Sequence, residues 1–329
     1  MRLRVFAFLV TTLALLLVLG KSSKGQSGQL PGREWAASVN LTNRNVKATG
    51  VLFLPASVNR VRAVIVFNNY GRTELMSENQ AWRKAAASVN AAILLARITE
   101  IDMAHSSPVP VEKVVWRNAT LGGGEAVLRL LKQLADEVSH PELDSVPLVF
   151  WGWSAGAGFG ATFAEQHSTR ILADVRYHIQ QRTLPVNTKV MGGIPMLMMA
   201  GGKDTTAGHE DAEKLWQSGR TTVDAPWTYV LEPNVPHPMG NGEVEFITNG
   251  SKLMIPWVTA VIRQRLTSVG GLKAIDVRSG WAGDNATGTI SSWASHTGLP
   301  ENRVWLPDEA SAQGWQAIRQ TENPGKPFE

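Results

Sequence analysis

Gly152-Trp153-Ser154-Ala155-Gly156 sets a serine between two glycines, and its surroundings give the pattern its meaning. The apolar run Pro147 to Trp151 reads as a buried strand, and Gly158-Phe159-Gly160-Ala161 as the opening of a helix. A serine at such a strand-to-helix turn carries its hydroxyl above the sheet edge, and the glycines leave room for strand and helix to approach. The chemistry implied is nucleophilic attack on an acyl carbon. Serine is a poor nucleophile at neutral pH, so it needs a base and a group that orients the base.

At an elbow of this kind the chain order is serine, acid, histidine. The predicted strand Ile194 to Ala200 runs into Gly201-Gly202-Lys203-Asp204, and the predicted strand Trp227 to Leu231 into Glu232-Pro233-Asn234-Val235-Pro236-His237. Asp204 and His237 therefore fall just past the C-terminal ends of strands, the edge where open α/β sheets bind ligands. Asp174 competes for the acid role but lies within a predicted strand, and Asp204 itself also suits a turn after glycines. His237 stands between Pro236 and Pro238 in a stiff loop. An oxyanion hole needs two backbone N–H groups, one from Ala155 and one from the loop after Val61 to Phe67, where Asn69 or Tyr70 is the candidate. Among the other histidines, His140 and His167 suit helix ends, while His105 and His209 fall on loops facing the expected cleft. None has metal-ligand spacing, so neither metal nor cofactor is expected.

These residues need a scaffold, and the chain predicts one. Trp35 to Leu41 and Lys47 to Leu54 read as a first pair of strands, and the β-branched run Val61 to Phe67 as a strand buried on both faces. Glu78 to Val89 reads as a helix and Ala91 to Ile98 as a strand. Gly122 to Val138 has helical spacing at Val127, Leu130, Leu131 and Leu134. After the elbow strand and its helix to about His167 come strands at Ile171 to Ile179, Ile194 to Ala200 and Trp227 to Leu231. Helices follow at Asp211 to Ser218 and Lys252 to Leu266. The fold class is α/β, a mostly parallel central sheet flanked by helices on both faces. The domain is expected over 34–267, with a Trp-rich C-terminal extension, 268–329, packed on it. Its tryptophans read as core or interface, with Trp281 and Trp293 as candidates to roof the cleft.

The chain resembles the α/β-hydrolases, nearest their dienelactone-hydrolase-like and exported-esterase branches, through GWSAG at 152–156, MMAGGKD at 198–204 and PNVPHPMG at 233–240. The likeness covers roughly Lys47 to Leu266. It implies Ser154 as nucleophile, His237 as general base and Asp204 as the acid that orients it, acting on carboxylic esters through an acyl-serine. At Asn69-Tyr70 the chain departs from the His-Gly or Gly-Gly of many relatives. Amide or peptide hydrolysis, cleavage of polyester or polysaccharide esters, and a non-catalytic binding role on the same scaffold are the competing readings.

Residues 1–25 have the layout of a secretory signal peptide: Arg2 and Arg4, an uncharged run from Val5 to Leu19, then small polar residues. An uncleaved N-terminal anchor is the alternative, and 26–33 is a polar linker. The location expected is secreted or periplasmic, without stable membrane insertion once the leader is cut. The formal charge of +4 arises there, since removing Arg2, Arg4, Lys21 and Lys24 from the 32 basic residues balances the 28 acidic ones. No nucleic-acid partner is therefore expected, and the partner read from the sequence is a small-molecule or polymeric ester. With no cysteine, thiol nucleophiles and disulfides are excluded.

Overall fold

The computed structural model describes residues 30–68, 79–101, 113–179, 186–238 and 243–320. The leader, residues 26–29 of the linker, Asn69, Tyr70 and His105 lie outside them. Two ten-residue antiparallel strands open the fold, β1 (Gly32–Leu41) paired with β2 (Val46–Pro55) from Gly32↔Pro55 to Leu41↔Val46. Then come β3 (Ala63–Asn68), α1 (Gln80–Ser88), β4 (Ala91–Glu100) and α2 (Gly123–Val138). The elbow region follows as β5 (Leu148–Trp153) and α3 (Phe159–His167). Beyond it lie β6 (Ile171–Tyr177), a one-turn α4 (Thr188–Met191), β7 (Met196–Gly201), α5 (Glu210–Val223), β8 (Trp227–Glu232) and α6 (Glu243–Arg265).

The eight strands form one sheet in the order β1-β2-β4-β3-β5-β6-β7-β8. β2 runs antiparallel to both neighbours, and from β4 to β8 every pairing is parallel. The parallel part explains the uniform apolar runs: all six residues of β3 and of β7 are buried, because helices cover both faces. Val127, Leu130, Leu131 and Leu134 form the buried stripe of α2, as their spacing predicts.

α6 starts well before the predicted Lys252 and runs through Pro256. Asn249 and Gly250 are weak helix formers, and a proline removes one helix hydrogen bond. Packing overrides both. Leu253, Met254, Trp257, Val258 and Val261 are fully buried, and Ser251 bonds back to the Ile247 carbonyl while accepting the Trp82 indole N–H at 3.0 Å.

The C-terminal residues form a second sheet that their sequence does not announce. β9 (Trp281–Asp284), β10 (Ile290–Ser292) and β11 (Arg303–Leu306) pair antiparallel in the order β10-β9-β11, and α7 (Glu309–Gln320) follows. Strands of three or four residues are too short to carry a readable period. The unit has no core of its own: Trp305, Leu306, Trp315 and Ile318 belong to the same apolar cluster as the main sheet. It is fastened to β8, where the Trp315 indole donates to the Tyr229 carbonyl at 2.7 Å and the Thr228 hydroxyl to the Trp305 carbonyl. Trp293 does not roof the cleft. It is buried with the guanidinium carbons of Arg220 and Arg303 over its ring, at 5.0 and 4.9 Å from the centroid. Trp293→Ala is accordingly expected to lower the unfolding free energy by about 3–5 kcal/mol, read from urea denaturation. A loss well under 1 kcal/mol would show that the two arginines hold the unit without the ring.

No helix among the described residues is long and apolar enough to cross a membrane.

Candidate active site

β5 ends at Trp153, and Ser154 turns the chain with φ +52° before a 3-10 turn over Ser154–Gly158 leads into α3. A left-handed backbone at a non-glycine residue costs of order 1–3 kcal/mol and persists only where the surroundings impose it. Close packing imposes it here. A Cβ on Gly152 would lie 2.5 Å from the Gly156 carbonyl oxygen and 2.6 Å from Ala157 Cα, so the strand passes directly beneath the turn.

Two more strand ends bring their residues to this place. The loop after β7 and the loop after β8 are laced by backbone hydrogen bonds, Gly202 N–H to the Glu232 carbonyl at 2.8 Å and Lys203 N–H to the Val235 carbonyl at 3.1 Å. That lacing sets Asp204 beside His237. Ser154 Oγ lies 2.9 Å from His237 Nε2, and His237 Nδ1 lies 2.7 Å from Asp204 Oδ2. The Trp153 ring stacks on the His237 imidazole, with centroids 6.1 Å apart and planes at 26°. Asp204 Oδ1 accepts the backbone N–H groups of Thr206 and Ala207 at 2.9 and 2.7 Å. Burial works against charge on Asp204, but the hydrogen bonds from His178, His237 and the Ala207 N–H outweigh it. They hold the carboxyl well below the usual carboxylate range.

Asp174, the competitor for the acid role, is buried within β6 and bonded to Arg176 Nε at 2.8 Å. Burial, partly offset by Arg176, raises its pKa. Ala155 is buried in the turn after Ser154. Asn69 and Tyr70 lie outside the described residues; Asn68, the last of β3, pairs with Gly152 next to the elbow. His140 bonds Glu142 at 2.9 Å and His167 ends α3, both away from the cluster, while His209 precedes α5.

The sequence reading missed two residues. His178, which it placed inside a strand reaching Ile179, follows the end of β6 with φ +50°, and its Nδ1 lies 2.8 Å from the same Asp204 Oδ2 that holds His237. Its Nε2 lies 3.1 Å from Glu232 Oε2, at the end of β8. The available signal was positional, since a histidine and a glutamate at the C-terminal ends of parallel strands lie on the ligand-binding edge. His178, Asp204 and His237 offer donor atoms within 4.8 Å of one another, a spacing that a metal ion could use. Those atoms are already joined by hydrogen bonds.

No family model and no curated protein sequence matches the chain. Solved structures do. An S-formylglutathione hydrolase from Agrobacterium tumefaciens aligns over 73% of this chain and 98% of its own, with 12% identity and a TM-score of 0.50. An esterase from Pyrococcus furiosus aligns over 70% and 92%, with 13% identity and a TM-score of 0.48. A dienelactone-hydrolase-like promiscuous phosphotriesterase from metagenomic libraries aligns over 64% and 85%, with 20% identity and a TM-score of 0.37. The first of these likenesses, with the strand order above, shows that the chain has the α/β-hydrolase fold.

Proposed function

We propose that the protein is a serine hydrolase that cleaves carboxylic esters through an acyl-serine intermediate. The observation that carries this reading is the unbroken hydrogen-bond chain from Ser154 through His237 to Asp204, with the serine on a strained elbow. Ser154 Oγ attacks the ester carbonyl carbon while His237 Nε2 takes its proton. Asp204 fixes the tautomer that leaves Nε2 free to do so and faces the imidazolium that forms. The carbonyl oxygen, now negative, is met by the Ala155 N–H and by one from Asn69 or Tyr70. His237 passes its proton to the departing alkoxide, and the alcohol leaves. Water then attacks the acyl-serine by the same route, giving the acid and free Ser154.

The basic and apolar start of the chain supports an exported protein, and the substrate class is a small-molecule or polymeric ester. A fluorophosphonate probe tests the reading directly. It is expected to add to the peptide containing Ser154, found by mass spectrometry, with competition by hydrolysable aryl and alkyl esters. A folded wild type that takes up no label and turns over no ester would sink it.

A further inference from the structure

Behind Asp204 the hydrogen-bond chain continues, and its next member is a histidine caught between two carboxylates. His178 Nδ1 faces Asp204 Oδ2 at 2.8 Å and Nε2 faces Glu232 Oε2 at 3.1 Å, with the His178 side chain fully buried and that of Glu232 only 3% exposed. An ionised carboxylate only accepts hydrogen bonds, and a neutral imidazole has a single N–H to give. In the neutral form one carboxylate would face a ring lone pair out of reach of water. The imidazolium has two N–H groups and satisfies both.

The backbone is arranged to keep the ring there. His178 holds a left-handed φ of +50°, and its N–H donates to the Met199 carbonyl at 2.8 Å. Across from it, a Cβ on Gly201 would lie 2.4 Å from His178 Cε1, so only glycine admits the ring at that position. Strain combined with a required glycine marks a conformation that the surroundings impose.

We propose that His178 is held as an imidazolium between Asp204 and Glu232 and, as a positioning residue acting through Asp204, tunes how strongly that carboxylate supports the proton on His237. The proposal rests on the reading of Ser154, His237 and Asp204 as a working triad. The titratable groups facing His178 are Asp204 from the loop after β7, Glu232 from the end of β8, His237 from the loop beyond it, and Tyr177, the last residue of β6. Burial alone would lower the His178 pKa. The hydrogen bonds to Asp204 and Glu232, with their charges, more than reverse this and raise it.

The consequence follows from distance. The two imidazoles share one carboxylate oxygen, and their ring centroids are 6.0 Å apart. A positive charge on His178 therefore competes with His237 for the negative charge of that one carboxylate. Glu232 lies on the far side and keeps His178 charged.

Glu232→Gln tests this. With an amide there, His178 loses the partner that holds its second proton, and the positive charge that shares Asp204 with His237 goes. The acidic limb of kcat/KM, each profile normalised to its own plateau, is expected to move up by about 0.5–1 pH unit. His178→Gln, a neutral donor to Asp204, is expected to move it the same way. A merely structural Glu232 would lower thermal stability without moving the normalised limb. A limb that stays in place, or moves down, overturns the proposal. Nitrogen-15 NMR of the wild type, with His178 assigned by its loss in His178→Gln, supplies a readout that needs no activity. Two protonated ring nitrogens at pH 8 are expected, and a neutral tautomer there would also overturn it. A wild type that neither labels nor hydrolyses esters would speak against the triad itself, and the nitrogen signals would then decide the charge on His178 alone.

Discussion

Ser154→Ala and His237→Ala are each expected to cut kcat for ester hydrolysis by about 10⁴–10⁶-fold, and the double variant to be little worse than either alone. The near-equality is the informative part. On the proposed mechanism serine and histidine act as one unit through the 2.9 Å hydrogen bond between them, so removing either removes the same step. What survives comes from substrate binding and the oxyanion donors. Single-turnover kinetics on an activated ester, beside circular dichroism to show that each variant is folded, makes the measurement. Two losses that multiply in the double variant would mean that His237 is not the base for Ser154.

Asp204→Asn is expected to be nearly as damaging, for a reason visible in the hydrogen bonds. Four donors converge on the carboxylate: Thr206 and Ala207 N–H on one oxygen, His178 and His237 on the other. An amide offers one oxygen and one NH₂, so whichever way it turns two donors meet a donor. With the NH₂ toward the histidines, leaving the oxygen to the Thr206 and Ala207 N–H groups, His237 is released to the wrong tautomer, and kcat is expected to fall by about 10⁴-fold. The unsatisfied groups lower stability by about 1–3 kcal/mol.

The same variant changes the response to acid. The folded pKa of Asp204 is depressed below the unfolded value of about 3.9. Its contribution to stability is therefore complete above that value and fades as pH falls through the folded one. Asp204→Asn removes that contribution, so its unfolding free energy is expected to decline less steeply than that of the wild type below about pH 4. Parallel declines in chemical denaturation at stepped pH would show that Asp204 is not the group responsible.

Much of the scaffold could be read from local pattern because parallel strands and their covering helices impose it. Uniform apolar runs gave β3 and β7, and the 3.6-residue period gave α2. The elbow was legible because its strand, turn and helix are consecutive in the chain. Asp204 and His237 were found by asking what lies beyond strand ends, a rule about edges. His178 and Glu232 escaped it for opposite reasons. His178 follows the apolar run of β6 without a turn signal, so it read as one more strand residue, while Glu232 looked like the first polar residue of a loop. Their meaning appears only when β6, β7 and β8 lie side by side. The short strands β9 to β11 were hidden because contacts with a distant part of the chain define them, not any period of their own.

The eight-stranded sheet ends at β8, and an end strand of a parallel sheet offers bare main-chain groups to any other strand that drifts past. Here the Tyr229 carbonyl is capped by the indole of Trp315, and β11 packs alongside. The last part of the chain thus works as a guard rail on the open side of the sheet, the side whose final strand leads into the histidine loop. Its loss would bare that edge and, with it, the apolar cluster that Trp305 and Trp315 share with the main sheet.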